Sequence, residues 1–182
     1  MSGADFGPPI RRCRLEPEWE LQKQAWVAVD NRNNAVAVFA VVQMMPNDPR
    51  RVKDCAMYTT PSKRGHGLAT DLFLRACTDL ASEEPPASLE WSGIATPGGY
   101  RLVKRFGFSI SEARSAELDA LLDQKLAEHP DDERYRQYAA FRDEYGGRLP
   151  CEPLRQKDAD AAGRKVLHEA AQVLQLRAIG DE

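Results

Sequence analysis

Tyr58-Thr-Thr-Pro-Ser-Lys-Arg-Gly-His-Gly-Leu-Ala69 is the stretch on which the reading of this 182-residue chain turns. It ends an apolar run at 52–60, which Pro61 stops, and it leads into Leu68, Leu72, Phe73, Ala76 and Leu80, spaced as on one face of a helix. The pattern predicts a strand, a basic glycine-rich turn and an amphipathic helix over 64–83. A helix start has backbone N–H groups without intrahelical partners and the positive end of the dipole, so it favours an anion. Gly65 and Gly67 let an anion approach the backbone, and Lys63 and Arg64 add charge beside it. A pyrophosphate is the natural guest. The competing reading is that the two glycines only make a tight strand-to-helix turn. A Walker-type loop is excluded, because no Gly-Lys-Ser/Thr stands at its spacing. The dinucleotide fingerprint fails because its third glycine falls on Thr70.

Working outward, residues 26–30 and 35–45 are apolar runs joined by Asn31-Arg-Asn-Asn34, the pattern of an antiparallel hairpin. Pro46-Asn-Asp-Pro49 marks the next turn. Downstream, Pro85-Pro86 breaks the helix, 88–96 reads as a strand, and 100–106 reads as a short helix stopped by Gly107. Beyond Ser111 only helices are expected. One carries Leu118, Leu121, Leu122 and Leu126. A second, capped by Asp131 or Asp132, carries Tyr135, Tyr138, Phe141 and Tyr145. A third runs over about 158–176 with Val166, Leu167, Ala170, Val173 and Leu174 on its buried side. The expected organisation is a loosely docked arm (1–18), an α/β core (19–110) and a helical extension (111–182). Helices this short need their apolar stripes buried, so the extension is expected to pack on the core or form a homodimer interface.

Lys and Arg number 25 against 28 Asp and Glu, for a net charge of −3. That balance argues against nucleic acid or an anionic membrane as the main partner. No apolar run approaches the ~20 residues of a membrane span. Residues 1–13 lack the apolar centre of a signal peptide, which points to the cytoplasm. Cys13, Cys55, Cys77 and Cys151 are scattered, and His66, His129 and His168 stand alone, so neither a disulfide framework nor a metal site is expected.

Arg64-Gly-His-Gly-Leu-Ala69 matches Arg/Gln-x-x-Gly-x-Gly/Ala and resembles the acetyl-CoA pyrophosphate loop of the GNAT superfamily of N-acetyltransferases. Tyr100-Arg-Leu-Val-Lys-Arg-Phe-Gly-Phe108 resembles the helix ending in Gly-Phe that follows the next strand in that family. The resemblance covers about 26–110. It implies an α/β (α+β) fold with a mixed, mainly antiparallel sheet, in which two parallel strands, here 52–60 and 88–96, splay apart to admit pantetheine. It implies acetyl-CoA as cofactor, bound by Met57, Tyr58, Thr59, Arg64, Gly65, His66, Gly67, Leu68, Ala69 and Thr70. A primary amine, small or macromolecular, would attack the thioester directly. The alternatives are a protein lysine or N-terminus, a nucleic-acid-linked amine, or a binding module without turnover.

Catalysis of that kind needs a proton acceptor, a polarised carbonyl and a donor to the leaving thiolate. Asp54 and Glu90 are the candidate bases, each also readable as a salt bridge with Lys53, Arg51 or Arg101. Asp54 and Tyr58, four residues apart on a strand, are expected to share a face. Where the family often has a donor tyrosine this chain has Val103, and Tyr100, one turn earlier, can stand in or be a core residue. Thr96 stands where the family commonly has Asn. Cys55 reads as a small core residue rather than a nucleophile.

Overall fold

A computed structural model of the chain describes residues 8–15, 22–45, 47–152 and 156–179. Their order is β1 (Ile10–Leu15), β2 (Lys23–Val29), β3 (Asn34–Met45), β4 (Asp48–Thr59), α1 (Leu68–Ala81), β5 (Ser88–Glu90), α2 (Pro97–Lys104), α3 (Glu112–Glu128), α4 (Glu133–Glu144), α5 (Gln156–Val173) and β6 (Arg177–Ala178). The fold is mixed α/β, with one mainly antiparallel sheet. The chain divides into two compact units: residues up to Ser92 with those from Asp160 onward, and residues 93–159.

The first unit holds the sheet, in the order β1-β2-β3-β4-β5. The first three pairings are antiparallel, and β4–β5 is parallel. The β2–β3 turn is fixed by Asp30, whose Oδ1 accepts from the N–H groups of Arg32 at 2.9 Å and Asn34 at 2.8 Å. Asn33 adopts a left-handed φ of 63°, which asparagine tolerates well. β6 pairs in parallel with Asn34 and Ala35 of β3. Because Val29 of β2 already pairs with Ala35, β6 lies on the β4 side of β3, beyond the point where β4 ends.

Small and β-branched residues make both faces of β2 and β3 apolar, and a helix belongs to each. On one face Phe39 meets Phe73 of α1 at 5.5 Å between ring centroids and Trp26 at 6.2 Å. Leu72, Ala76 and Leu80 complete that layer, and the Trp26 indole N–H donates to Asp79 at 2.8 Å. Truncating Phe73 to alanine there costs about 3–5 kcal/mol. On the other face Val166, Leu167, Ala170 and Ala171 of α5 pack on Val27, Val29, Val38, Ala40 and Tyr58. Burial of each such side chain is worth about 1.5–3 kcal/mol.

In the second unit Tyr100 packs edge-on against Phe141 at 6.1 Å and Tyr145 at 5.1 Å. Ser115 Oγ donates to the Leu149 carbonyl at 2.6 Å, and Asp119 accepts from the Leu149 N–H at 2.7 Å. Thr96, Ser111 and Asp132 cap α2, α3 and α4 with their side chains. No helix among the described residues is long and apolar enough to cross a membrane.

Several expectations need correcting. Residues 10–15 of the expected arm form β1, paired with β2 over their whole length; residues 1–7 and 16–18 lie outside the described residues, as does Pro46 of the second turn. The strand expected over 88–96 stops at Glu90, because Trp91 and Ser92 do not continue the ladder. The unit boundaries fall after Ser92 and before Asp160, not at 110: α5 buries its stripe on the sheet while α3 and α4 belong to the second unit. Val173, expected on the buried side, is 47% exposed. Beyond Ser111, where only helices are expected, the described residues also form the short strand β6.

α5 approaches the sheet through Gly163. A Cβ at that position would lie 2.5 Å from the Tyr58 Cβ. Replacing an interior helix glycine by alanine normally stabilises by about 1 kcal/mol. Gly163→Ala should instead lower stability in urea denaturation by about 1–3 kcal/mol, the cost of overpacking. An unchanged or raised midpoint would show that α5 can withdraw from Tyr58 freely.

Candidate functional site

The candidate site begins where β5 leaves β4. The two strands pair only over Arg51–Ser88, Val52–Leu89 and Lys53–Glu90. At the next residue the Asp54 carboxylate takes over from the ladder: Oδ1 accepts the Ser92 N–H at 2.6 Å and Oδ2 the Ser92 hydroxyl at 3.1 Å. β4 runs on to Thr59 paired with β3, and among the described residues no strand accompanies residues 55–59 on the other side.

The same stretch contains a bulge. Ala40 pairs with Ala56 and Val41 with Asp54, so Cys55 is the extra residue. The bulge overturns the expected common face of Asp54 and Tyr58. Asp54, opposite Val41, lies with Met57 on the Phe39 side, the face of the sheet that α1 covers. Tyr58, opposite Val38, lies on the α5 side. Cys55 is exposed rather than a core residue.

The two candidate bases have different surroundings. Glu90 is 2.7 Å from Arg51 Nε, and that hydrogen bond holds its carboxyl below the usual range. An exposed carboxylate already paired with a guanidinium is a weak base. Asp54 is half-buried, and burial lifts its pKa, against the pull of the Ser92 N–H and hydroxyl. A carboxylate raised in this way is the better proton acceptor.

After β4, Pro61–Lys63 forms a single 3-10 turn and the loop reaches α1. Gly65 and Gly67 hold φ values of 80° and 77°, and a Cβ on either would meet nothing within 4 Å. Glycine is therefore the residue this backbone conformation favours, and the space above both residues is open. Gly67 caps α1 without a side-chain hydrogen bond, so the N–H groups of Leu68, Ala69 and Thr70 open the helix. His66 is exposed, whereas the Leu68 side chain is in the core. Just before the loop, the buried Thr60 Oγ1 lacks a hydrogen-bond partner.

Arg64 turns back from this loop. Its Nε donates to the Thr59 carbonyl at 3.0 Å, its terminal nitrogen lies 3.2 Å from Asp160 Oδ1, and its guanidinium stands 5.7 Å from the Tyr58 ring centre. The first unit thus holds Asp54, Met57, Tyr58, Thr59, Glu90 and residues 64–70. Tyr100 belongs to the second unit, buried between Phe141 and Tyr145, and burial raises its pKa. Val103 beside it is also buried.

Two residues in contact with this site were not reached from sequence. Ser92 and Asp160 stand 38 and 96 positions from the residues they bond, and no local pattern connects them. Among the described residues no group of three His, Cys, Asp or Glu is placed to hold a metal ion. In comparisons with known proteins, no family model, no curated protein and no solved structure matches the chain.

The raised Asp54 pKa makes a stability prediction. The native carboxyl holds its proton more tightly than the unfolded one, so its contribution is lost as pH rises from the ordinary aspartate range through the native value. Asp54→Asn preserves both Ser92 hydrogen bonds, since Oδ1 accepts and Nδ2 donates. The stability of the variant relative to wild type should therefore improve as pH rises from about 3 to about 7. Denaturant titrations across that range check it, and a constant difference would show that Asp54 is not desolvated.

Proposed function

We propose that this chain is an acetyl-CoA-dependent N-acetyltransferase of GNAT-like fold, moving an acetyl group to a primary amine by direct attack in a ternary complex. One observation carries the reading. β4 loses its parallel neighbour after three residue pairs and runs on into a loop with two left-handed glycines, at the uncapped start of α1. The open space above both glycines suits a pyrophosphate, as does the chemistry of a helix start.

Acetyl-CoA, when bound, supplies the activated acyl group. The chain's own residues do the rest. The N–H groups of residues 67–70 bind the pyrophosphate, with Lys63 and Arg64 adding charge. The edge of β4 at 57–59 offers the pantetheine arm the backbone groups of an unaccompanied strand. Asp54 lies at the divergence and takes the proton of the attacking amine at its carboxylate, directly or through water. The Ser92 N–H and hydroxyl orient that carboxylate. Glu90 is occupied by Arg51 and is the lesser candidate.

The packing of Tyr100 between two aromatic rings, with valine at 103, favours a second reading: a module that binds acyl-CoA without turnover. The acceptor is a small or macromolecular amine, with a cytoplasmic location expected.

Incubation with acetyl-CoA and a panel of amines, following free thiol, separates these readings. Thiol release that depends on amine supports the enzyme, and coenzyme A binding without release supports the module. Gly67→Asp should abolish coenzyme A binding in calorimetry while circular dichroism keeps its wild-type form. Aspartate is among the residues that best tolerate a left-handed backbone, so the loss would come from a carboxylate in the phosphate's place. Wild-type affinity in that variant would remove the loop from the binding site. Asp54→Asn should lower turnover and leave coenzyme A affinity nearly unchanged; if only Glu90→Gln loses activity, the two roles are exchanged.

A further inference from the structure

We propose that Asp160 of α5 is a built-in counter-ion that competes with ligand phosphate for Arg64, so that α5 tunes the affinity of the glycine loop for its anion. The inference rests on the acyl-CoA reading of that loop.

Arg64 is the arginine of the loop motif, yet its three contacts lie behind the loop: the Thr59 carbonyl, the Tyr58 ring and the Asp160 carboxylate. The carboxylate is not there by chance of a long side chain. Asp160 and Gly163 are three residues apart, on one face of α5. Gly163 brings that face so close to Tyr58 that a methyl group would not fit. The short aspartate side chain is therefore delivered to the guanidinium by a fixed helix.

A phosphate arriving above Gly65 and Gly67 meets two penalties of the same sign. Arg64 must leave Asp160 before it can serve the ligand, and the carboxylate left behind repels the incoming charge. The size of the effect follows from exposure. The side chains are 44% and 24% exposed, so the pair is partly screened and exchange is open to the ligand. Asp160 acts as a tuning element, not a lock. The same guanidinium also covers the Thr59 carbonyl, one of the groups expected to receive the pantetheine arm, so its release would free both ends of the binding edge.

The test is calorimetry of the full chain with coenzyme A at low and at physiological salt, for wild type, Asp160→Asn and Glu169→Gln. Glu169 lies nine residues further along the same helix, where it faces Lys165, so its variant makes the same change in net charge about 13 Å away. Asp160→Asn should bind about two- to fivefold more tightly than wild type, with the gap closing as salt rises. Glu169→Gln should bind as wild type does. If wild type binds and Asp160→Asn binds equally or more weakly, Asp160 only anchors α5, and the counter-ion role is overturned while the acyl-CoA reading stands. If Glu169→Gln gains as much, the effect is the general field of the helix and the specific role is overturned too. Binding by none of the three overturns the acyl-CoA reading and the counter-ion role with it. Should Asp160→Asn fail to fold by circular dichroism, Asp160→Ser carries the same comparison.

Discussion

The missing side chain at Gly163 sets where α5 lies, and much of the first unit follows from that. With only hydrogen on the helix backbone, α5 closes onto Tyr58 and buries Val166, Leu167, Ala170 and Ala171 against one face of the sheet. α1 covers the other face through Phe73, Leu72 and Leu80. A central sheet apolar on both sides needs both helices, because residues 25–29 of β2 and 35–42 of β3 present only apolar side chains to either face. The two helices are drawn from distant parts of the chain, α1 from just past the loop that follows β4 and α5 from after an inserted unit with two further long helices.

The edge of β4 is shaped by a second constraint. A parallel pair would normally extend as far as both strands remain straight. Here the Asp54 carboxylate captures the Ser92 N–H, so a side chain replaces the backbone acceptor and the ladder ends. The bulge at Cys55 adds one residue to β4 at the same place and turns the following side chains over. Asp54 therefore lies on the α1 face of the sheet, while Tyr58 faces α5. Burial raises the Asp54 pKa, and two donors from one serine keep the carboxylate oriented. A desolvated carboxylate with a fixed direction beside an unaccompanied strand is the feature on which the proposed transfer to an amine rests.

Electrostatics at the other end of β4 oppose one another. The helix start and Lys63 favour an anion, yet the arginine of the loop is held by a carboxylate of α5. If the loop binds an anion as proposed, stability and binding make different demands on the same guanidinium. In the unbound chain it cross-links the loop, the end of β4 and α5.

The sequence by itself determined the elements whose cause is local. The hairpin of β2 and β3 came from an Asp-Asn turn that bonds its own backbone, the start of α1 from two glycines that adopt a left-handed backbone at little cost, and the cap of α4 from the Asp132 side chain two residues from its donor. The mixed α/β class was legible through apolar periodicity, whereas the parallel β4–β5 pair was expected only from the resemblance of the glycine loop and the Gly-Phe helix. Only the tertiary structure decided the rest. Residues 10–15, rich in arginine, became a strand because β2 offered an open edge. Residues 91–96 did not extend β5: Asp54, 38 positions from Ser92, accepts the Ser92 N–H, and Ile94 bridges to Glu152 instead. The face of Asp54 depended on a bulge that alternation cannot reveal, since a single extra residue reverses every side chain beyond it. The partners of Arg64 and Glu90 were fixed by contacts 96 and 39 residues apart. Such pairings are chosen by the packing of whole helices and strands, which no local stretch of sequence contains.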